Sequence, residues 1–232
     1  MSEVNPKLPK KILLIILTLI SSISFPVRAE LVQQEVVPFP GIGEILVRAH
    51  IIQNQFPTVE FFDLKGKRLL NVEMGHTDKT NGRFRAGIEF KALSIAGFPN
   101  PMLMIVSAAP HGSDTTWEVS LISGSSGQLR VLWRQPDVLF SEGGFYLGNL
   151  GKCSDLGIGI WDSISNEAEE CHLCPHRYKL KLFPWDGKKK KFKSGSSFET
   201  KRKYKDGGEA LKELGFQFPN QILQFKRLEE FR

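Results

Sequence analysis

The sequence predicts an all-β fold built from propeller-like repeats of about 54 residues, forming an incomplete or degenerate propeller with a short C-terminal helix. Three observations predict this fold. Short runs of alternating apolar and polar residues, bounded by Gly, Pro, Asn and Asp, dominate the chain and are typical of half-buried strands. Helical periodicity is scarce beyond the N-terminal segment. Segments in the middle of the chain also repeat one another at a fixed spacing.

The predicted strands carry apolar residues at every second position. The clearest of them are EILVRAHI, TVEFFDL, MLMIVSA, WEVSLIS, LRVLW, LGIGIWD and YKLKLFPW. Turn signals separate these strands, among them Lys65-Gly66 and Asp186-Gly187, and an Asp-Gly pair strongly favours a hairpin. The strands and turns together predict a series of antiparallel hairpins.

An internal repeat relates the segments Leu93–Val106 and Leu147–Ile160, which match without gaps at an offset of 54 residues (147 minus 93). The paired positions are Leu93 and Leu147, Gly97 and Gly151, Met102 and Leu156, Met104 and Ile158, and Val106 and Ile160. A weaker copy lies at Thr58–Val72. Because only a neighbouring unit can cover the apolar face of each sheet, we expect the apolar paired positions to be buried.

The predicted repeat units span about residues 36–80, 88–135 and 142–204. Three units are fewer than the minimum of about four that closes a propeller. Either both ends of the mature chain assemble a further, degenerate unit, or the sheets stack as an open wedge or sandwich. We slightly favour the first arrangement.

The C-terminal tail, residues 205–232, contains the one predicted helix of the domain. In GGEALKELGF, Gly207 and Gly208 open the helix, Leu211 and Leu214 share a face, and Gly215 is a C-terminal stop. The segment NQILQFKRLEEFR that follows fits either a closing strand or an amphipathic helix.

The first 29 residues have the pattern of a secretory signal peptide. A lysine-bearing start precedes the apolar run Ile12–Ile20, and Val27-Arg28-Ala29 is a small-residue cleavage site before Glu30. The apolar run is too short for a membrane span of about 20 residues, although an uncleaved N-terminal anchor is the alternative. The sequence therefore predicts a secreted or periplasmic protein, cleaved near Ala29, with residues 30–232 forming a single domain.

The charge of the mature chain is mild. The whole sequence has 31 Lys and Arg against 25 Asp and Glu, a net charge of +6. Residues 1–29 contain four of the basic residues and one of the acidic ones, so 27 against 24 remain and the net charge falls to +3. This balance does not predict nucleic acid as a partner.

The run GGFYLGNLGKCSDLGIGIWD resembles the core of the FG-GAP or VCBS repeat of integrin-α-type propellers, with Gly148, Gly151, Asp155 and Leu156 at matching positions. The resemblance extends from Leu93 to Tyr204 and is to exported bacterial proteins of this family. It implies a β-propeller fold and, in many members, a calcium-binding turn. Here the turn has Asn149, Lys152 and Ser154 where carboxylates would be needed, so calcium is not expected.

The stretch CHLCPH contains two of the 3 cysteines of the chain. Haem attachment would need a histidine directly after Cys174, and a thioredoxin-like site would need a helix N-terminus in a βαβ unit. Three alternatives remain: a structural disulfide, a tetrahedral zinc site and free thiols, of which we favour the disulfide. The candidate residues are Cys153, Cys171, Cys174, His172 and His176.

A basic segment follows the last predicted strand. Its candidate residues are Lys188, Lys189, Lys190, Lys191, Lys193, Lys201, Arg202 and Lys203. They fit a solvated hairpin tip with lysines that guard a strand edge against aggregation. They also fit contact with an anionic partner, either a membrane surface or an acidic glycan.

No catalytic constellation is found in the sequence. GSSG at Gly124–Gly127 lacks the spacing of a nucleophile elbow and is typical of a hairpin turn. The sequence therefore predicts an exported, non-enzymatic binding or interaction module, with a protein, an anionic glycan or a membrane surface as partner and no cofactor. The alternative is a zinc- or thiol-dependent enzyme centred on Cys153, Cys171 and Cys174.

Overall fold

The computed structural model describes residues 29–52, 56–74, 87–98, 101–111, 114–125, 127–139, 142–151, 156–164, 174–226 and 228. The predicted signal peptide lies outside these residues except for Ala29, which begins the first strand. No helix of the described part is long and apolar enough to cross a membrane.

The described chain is mostly β and forms three antiparallel sheets in chain order. Sheet 1 contains β1 (Ala29–Phe39), β2 (Gly43–Ile52), β3 (Thr58–Asp63) and β4 (Arg68–Glu73). Sheet 2 contains β5 (Gly87–Leu93), β6 (Met102–His111), β7 (Asp114–Ser125) and β8 (Gln128–Leu139). Sheet 3 contains β9 (Gly144–Asn149), β10 (Leu156–Ile164), β11 (Arg177–Asp186), β12 (Lys191–Phe192) and β13 (Ser197–Glu199). Sheets 1 and 2 are meanders in which neighbouring strands along the chain are paired. Sheet 3 follows the same rule from β9 to β12, and β13 then pairs with β11.

Sheet 1 begins earlier than the repeat predicted. The first unit was expected from about residue 36, whereas β1 starts at Ala29 and pairs with β2 over its whole length, with a bulge between Leu31 and Gln33. The bulge breaks the alternation of apolar and polar residues that would have marked this strand.

Sheet 2 lies between the other two sheets and is buried on both faces. On one face, Leu103, Ile105 and Ile122 pack with residues of sheet 1. On the other face, Met104 and Trp117 pack with residues of sheet 3. Burial on both faces explains why β6 is an almost continuous apolar run instead of an alternating one.

The repeat positions are largely buried, as the sequence predicts. Met102, Met104, Val106, Leu147, Ile158 and Ile160 are at most 4% exposed. Leu93 and Leu156 are half-buried, because they lie at the end of β5 and the start of β10.

The predicted helix is confirmed as α1 (Gly207–Glu213), with the Asp206 side chain accepting a hydrogen bond from the Glu209 N–H at its N-cap. It packs on the outer face of sheet 3, where Ala210 and Leu211 contact Trp161 and Tyr178.

The remaining tail forms a 3-10 helix, Gln221–Gln224, in place of the expected strand or amphipathic helix. Ile222, Phe225 and Leu228 from this tail are buried in the core between sheets 2 and 3. The described residues contain three sheets and no further unit built from both chain ends, so they form an open stack.

Side-chain amides pair with the free edges of β5 and β9. The Gln33 side chain of β1 accepts a hydrogen bond from the Phe90 N–H (3.0 Å) and donates one to the Phe90 carbonyl (2.9 Å). At β9, Gln221 accepts from the Leu147 N–H (2.8 Å) and donates to the Leu147 carbonyl (3.1 Å), and Asn220 accepts from the Phe145 N–H (3.2 Å). These amides replace a neighbouring strand at edges that would otherwise be open to further pairing.

Candidate functional site

Of the cysteine and histidine candidates, the structure describes Cys174, which is exposed, and His176. Cys153, Cys171 and His172 lie outside the described residues, so the choice among a disulfide, a zinc site and free thiols stays a prediction. Among the residues that the structure describes, no group of three or more His, Cys, Asp or Glu side chains could hold a metal ion.

His176 is buried at the start of β11, on the face that α1 covers. Its backbone pairs with that of Tyr204 through hydrogen bonds of 2.9 and 2.7 Å. Its Nε2 atom lies 3.5 Å from Oε1 of Glu142, the residue before the glycines that open β9. His176 is 3% exposed, so this imidazole is closed off from solvent in the present conformation.

Tyr178 lies beside His176 on the same buried face. Burial, and the negative charges of Glu142, Asp206 and Asp162, raise the pKa of the Tyr178 phenol well above its ordinary value, so this group stays protonated at neutral pH. Its hydroxyl oxygen and Oε2 of Glu142 are buried without a hydrogen-bond partner among the described residues. Since α1 covers this polar cluster, it is not a site that a ligand could enter without displacement of the helix.

The candidate lysines and arginine fall into two groups at opposite ends of β11. Lys188, Lys189 and Lys190 lie in the exposed β11–β12 turn after Asp186, Lys191 begins β12, and Lys193 follows that strand. Lys201, Arg202 and Lys203 follow β13, whose last residue, Glu199, pairs with Lys179. Because Lys179 and Asp186 are seven residues apart along β11, the two groups are separated by roughly 23 Å.

A groove of about 790 Å³ lies on the outer face of sheet 3, beyond the C-terminal end of α1. Its lining is mainly apolar: Leu182, Pro184, Phe198, Leu214, Phe216 and Phe218. Its polar lining side chains are Asn149, Ser196, Lys212 and Gln217. The groove therefore combines an apolar surface with hydrogen-bonding groups and one ammonium group.

Stacked aromatic rings hold one wall of the groove. The ring of Phe218 stacks on Tyr146 with centroids 4.7 Å apart, and Phe216 lies 5.3 Å from Phe218. Phe198, from β13, contacts Phe216 at 5.5 Å and is 36% exposed. Such ring pairs add to the stabilisation from burial alone, so the wall is preformed.

Two glycines make this wall possible. Gly215 has a φ of +83° and ends α1, which turns the chain towards sheet 3. Gly159 lies under Phe218, and a Cβ atom at this position would be only 2.9 Å from the ring. The phenyl ring can therefore lie flat against the sheet.

Sequence reasoning missed this groove. The sequence analysis assigned no role to Phe198, Phe216 or Phe218. The available signal was the Gly-x-Gly pattern of β10, Gly157 and Gly159, since glycines inside a strand often mark the close approach of another group.

Comparisons with family models, with curated proteins and with solved structures gave no match to this chain. The resemblance to FG-GAP and VCBS repeats therefore stays a prediction that rests on the sequence.

Proposed function

We propose that this chain is an exported, non-enzymatic binding module on an incomplete propeller-like scaffold, and that its ligand site is the groove beside α1. The order of the three sheets and the burial of the repeat positions support the scaffold. The signal-peptide pattern of residues 1–29 supports export.

The observation that carries the proposal is the chemistry of the groove lining. Its volume, about 790 Å³, is within the range of about 300–1,000 Å³ that is typical of ligand sites. Of the described residues that line it, none is a carboxylate, imidazole or thiol. The lining therefore offers affinity for a ligand through its apolar side chains, and it lacks the carboxylates, imidazoles and thiols that most often act as acids, bases and nucleophiles.

The ligand that fits best is a short segment of a partner protein with hydrophobic side chains. Phe198, Phe216 and Phe218 have no polar atoms on their rings, and Leu182 and Pro184 extend the apolar surface. Glycan sites need a denser set of polar groups, because every sugar hydroxyl that loses water needs a new partner. Burying one large apolar side chain contributes about 1.5–3 kcal/mol, so two of them contribute about 3–6 kcal/mol. This corresponds to an affinity no tighter than tens of micromolar, before the losses on association.

The alternative function, a zinc- or thiol-dependent enzyme, needs Cys174 as a thiolate. The disulfide that the sequence predicts would remove Cys174 from the three candidate thiolates, so this prediction favours the binding module.

The test is a screen of short hydrophobic peptides, followed by fluorescence polarisation with the best binder. We expect Phe198→Ala to weaken binding about tenfold or more, which corresponds to the loss of about 1.4 kcal/mol of contact energy. Leu223→Ala is the matched control, because Leu223 is also apolar and exposed (53%) but lies in the 3-10 helix and outside the groove lining.

Equal affinities for both variants would contradict the assignment of the site. Binding of neutral oligosaccharides in a manner sensitive to Phe198→Ala, without peptide binding, would contradict the assignment of the ligand.

A further inference from the structure

Turns from all three sheets lie at one end of the stack. The Arg130 side chain, next to the β7–β8 turn, donates a hydrogen bond to the Lys190 carbonyl in the β11–β12 turn (3.0 Å). A Cβ atom on Gly124, at the end of β7, would lie 2.7 Å from Ile42 in the β1–β2 turn. In a meander the β3–β4 turn is at the same end as the β1–β2 turn, so sheets 1, 2 and 3 all contribute turns to this end.

This end is rich in cationic side chains, and we call it the basic end. It is defined by the exposed residues Lys65, Lys67, Arg130, Lys188, Lys189, Lys190 and Lys191. Because stacked sheets lie about 10 Å apart, these cations extend over roughly 20 Å from sheet 1 to sheet 3. They therefore form a broad surface drawn from three separate parts of the chain.

The carboxylates of two turns are directed to the turn backbone. Asp63 accepts hydrogen bonds from the backbone N–H groups of Lys65 (2.9 Å) and Lys67 (2.8 Å). Asp186 accepts from the N–H groups of Lys188 and Lys189 (both 3.0 Å) and pairs with Lys193 at 2.7 Å.

None of the lysines that define the basic end forms an ion pair with a carboxylate of the described chain. Glu44, an exposed residue beside the β1–β2 turn, is a further acidic residue nearby, and the cations outnumber the three carboxylates. The basic end therefore presents a net positive charge to solvent.

An apolar side chain projects from the same surface. Leu64 lies between Asp63 and Lys65 in the β3–β4 turn and is 63% exposed, more than any other large hydrophobic residue in the described part of the chain. At a lipid interface an apolar side chain can enter below the headgroups while the neighbouring ammonium groups stay at the level of the phosphates. A soluble polyanion would contact the lysines but leave Leu64 in water.

We propose that the basic end docks the protein on an anionic lipid surface, with Leu64 inserted and the lysines at the phosphates. This surface is distinct from the groove on the outer face of sheet 3, so the protein can hold a ligand while it is docked. The lysines supply most of the attraction, and each contributes about a fivefold gain in binding near a charged bilayer.

The test is co-sedimentation of the full chain with phosphatidylcholine vesicles that contain phosphatidylglycerol. Vesicles of phosphatidylcholine alone measure any contribution of the apolar run Ile12–Ile20, which all variants share. We expect binding that requires phosphatidylglycerol and weakens as salt is raised, because exposed charges are screened.

Two variants with equal loss of charge locate the surface. The first replaces Lys188, Lys189, Lys190 and Lys191 with Gln, and we expect at least about a hundredfold weaker binding. The second replaces Lys201, Arg202, Lys203 and Lys205 with Gln at the opposite end of β11, and we expect it to retain most of the wild-type affinity. Leu64→Ser should also weaken binding, without changing the charge.

Three outcomes would overturn the proposal. An equal loss in the two quadruple variants would show attraction by net charge alone. Unchanged binding of Leu64→Ser would remove the case for insertion. Failure to bind phosphatidylglycerol vesicles, together with binding of heparin that the first quadruple variant abolishes, would identify an acidic glycan as the partner.

Discussion

The hydrogen bonds of Gln33 make the most direct test of how the sheets are joined. Gln33 is 6% exposed, and its amide group satisfies both backbone polar atoms of Phe90 on the edge of β5. The change Gln33→Met keeps a similar side-chain length and volume but removes the amide. The N–H and carbonyl of Phe90 then stay buried without their partner.

The expected loss of stability follows from these two groups. A buried backbone polar group left without a partner costs about 1–3 kcal/mol, so two cost roughly 2–6 kcal/mol. For a domain of about 200 residues, each kcal/mol shifts Tm by roughly 2–4 °C, so we expect a decrease of about 4–24 °C. No cavity is created, because the methionine side chain fills the same space.

The assay is urea unfolding of Gln33→Met beside Gln34→Met. Gln34 is the next residue along β1 but is exposed, where it accepts a hydrogen bond from Arg48 at 2.8 Å. We expect Gln34→Met to stay within about 0.5 kcal/mol of the wild type. If both variants unfold at the same urea concentration as the wild type, the Gln33–Phe90 pairing does not join the sheets in solution.

Three further predictions test the tail, a turn and the groove. Phe225→Ala should lower the free energy of unfolding by about 3–5 kcal/mol, because Phe225 is 1% exposed and lies between sheets 2 and 3. In the same urea experiment, Leu223→Ala should have little effect, because Leu223 is exposed. The pKa of the Asp186 carboxyl is lowered from 3.8 to about 2 by its hydrogen bond with Lys193 and by backbone N–H donors. Because the pKa is lowered, the stabilisation of the β11–β12 turn by Asp186 is complete above about pH 4 and is lost as the pH falls through about 2. Hydrogen exchange of the turn amides, followed by NMR, should therefore speed up over that pH window by more than the intrinsic exchange rate does. Gly159→Ala should displace the ring of Phe218, because a new Cβ atom would lie 2.9 Å from it. The loss of binding free energy for the peptide in the groove should then exceed the loss of folding free energy that the change in Tm reports.

Much of the fold could be predicted from the sequence because it is encoded locally. Six of the seven predicted strand segments lie within β2, β6, β7, β8, β10 and β11, and the seventh matches β3 except for Leu64, which lies in the following turn. The helix start and the Gly215 stop were also readable from single residues. The first strands of sheets 1 and 2, β1 and β5, were harder to see. Gln33 in β1 and Glu89 in β5 are polar residues at buried positions, and the Gln33 side chain is paired with Phe90, which lies 57 residues further along the chain.

The candidate site depends on contacts that no local pattern contains. The groove joins residues 149–151, 182–184, 196–198 and 212–218, which come together only after α1 packs on sheet 3. The candidate lysines between residues 188 and 203 are close together in the sequence but are separated in the structure. The pairing of β11 with β12 and β13 places Lys191 and Lys201 at opposite ends of the sheet.

In the described residues, the C-terminal tail occupies the position that a further sheet would need. A further sheet would have to cover the core beside β9 and pair with the free edge of that strand. The tail already does both: Ile222 and Phe225 fill the core, and Asn220 and Gln221 occupy the hydrogen-bonding groups of Phe145 and Leu147. At the other end of the tail, the Lys91 ammonium group of β5 lies 4.8 Å from the ring of Phe225 and donates to the Gln224 carbonyl. Because repeat arrays need a distinct segment to cover their last unit, a tail that joins the edges of sheets 2 and 3 serves as that segment, and the stack does not need to close.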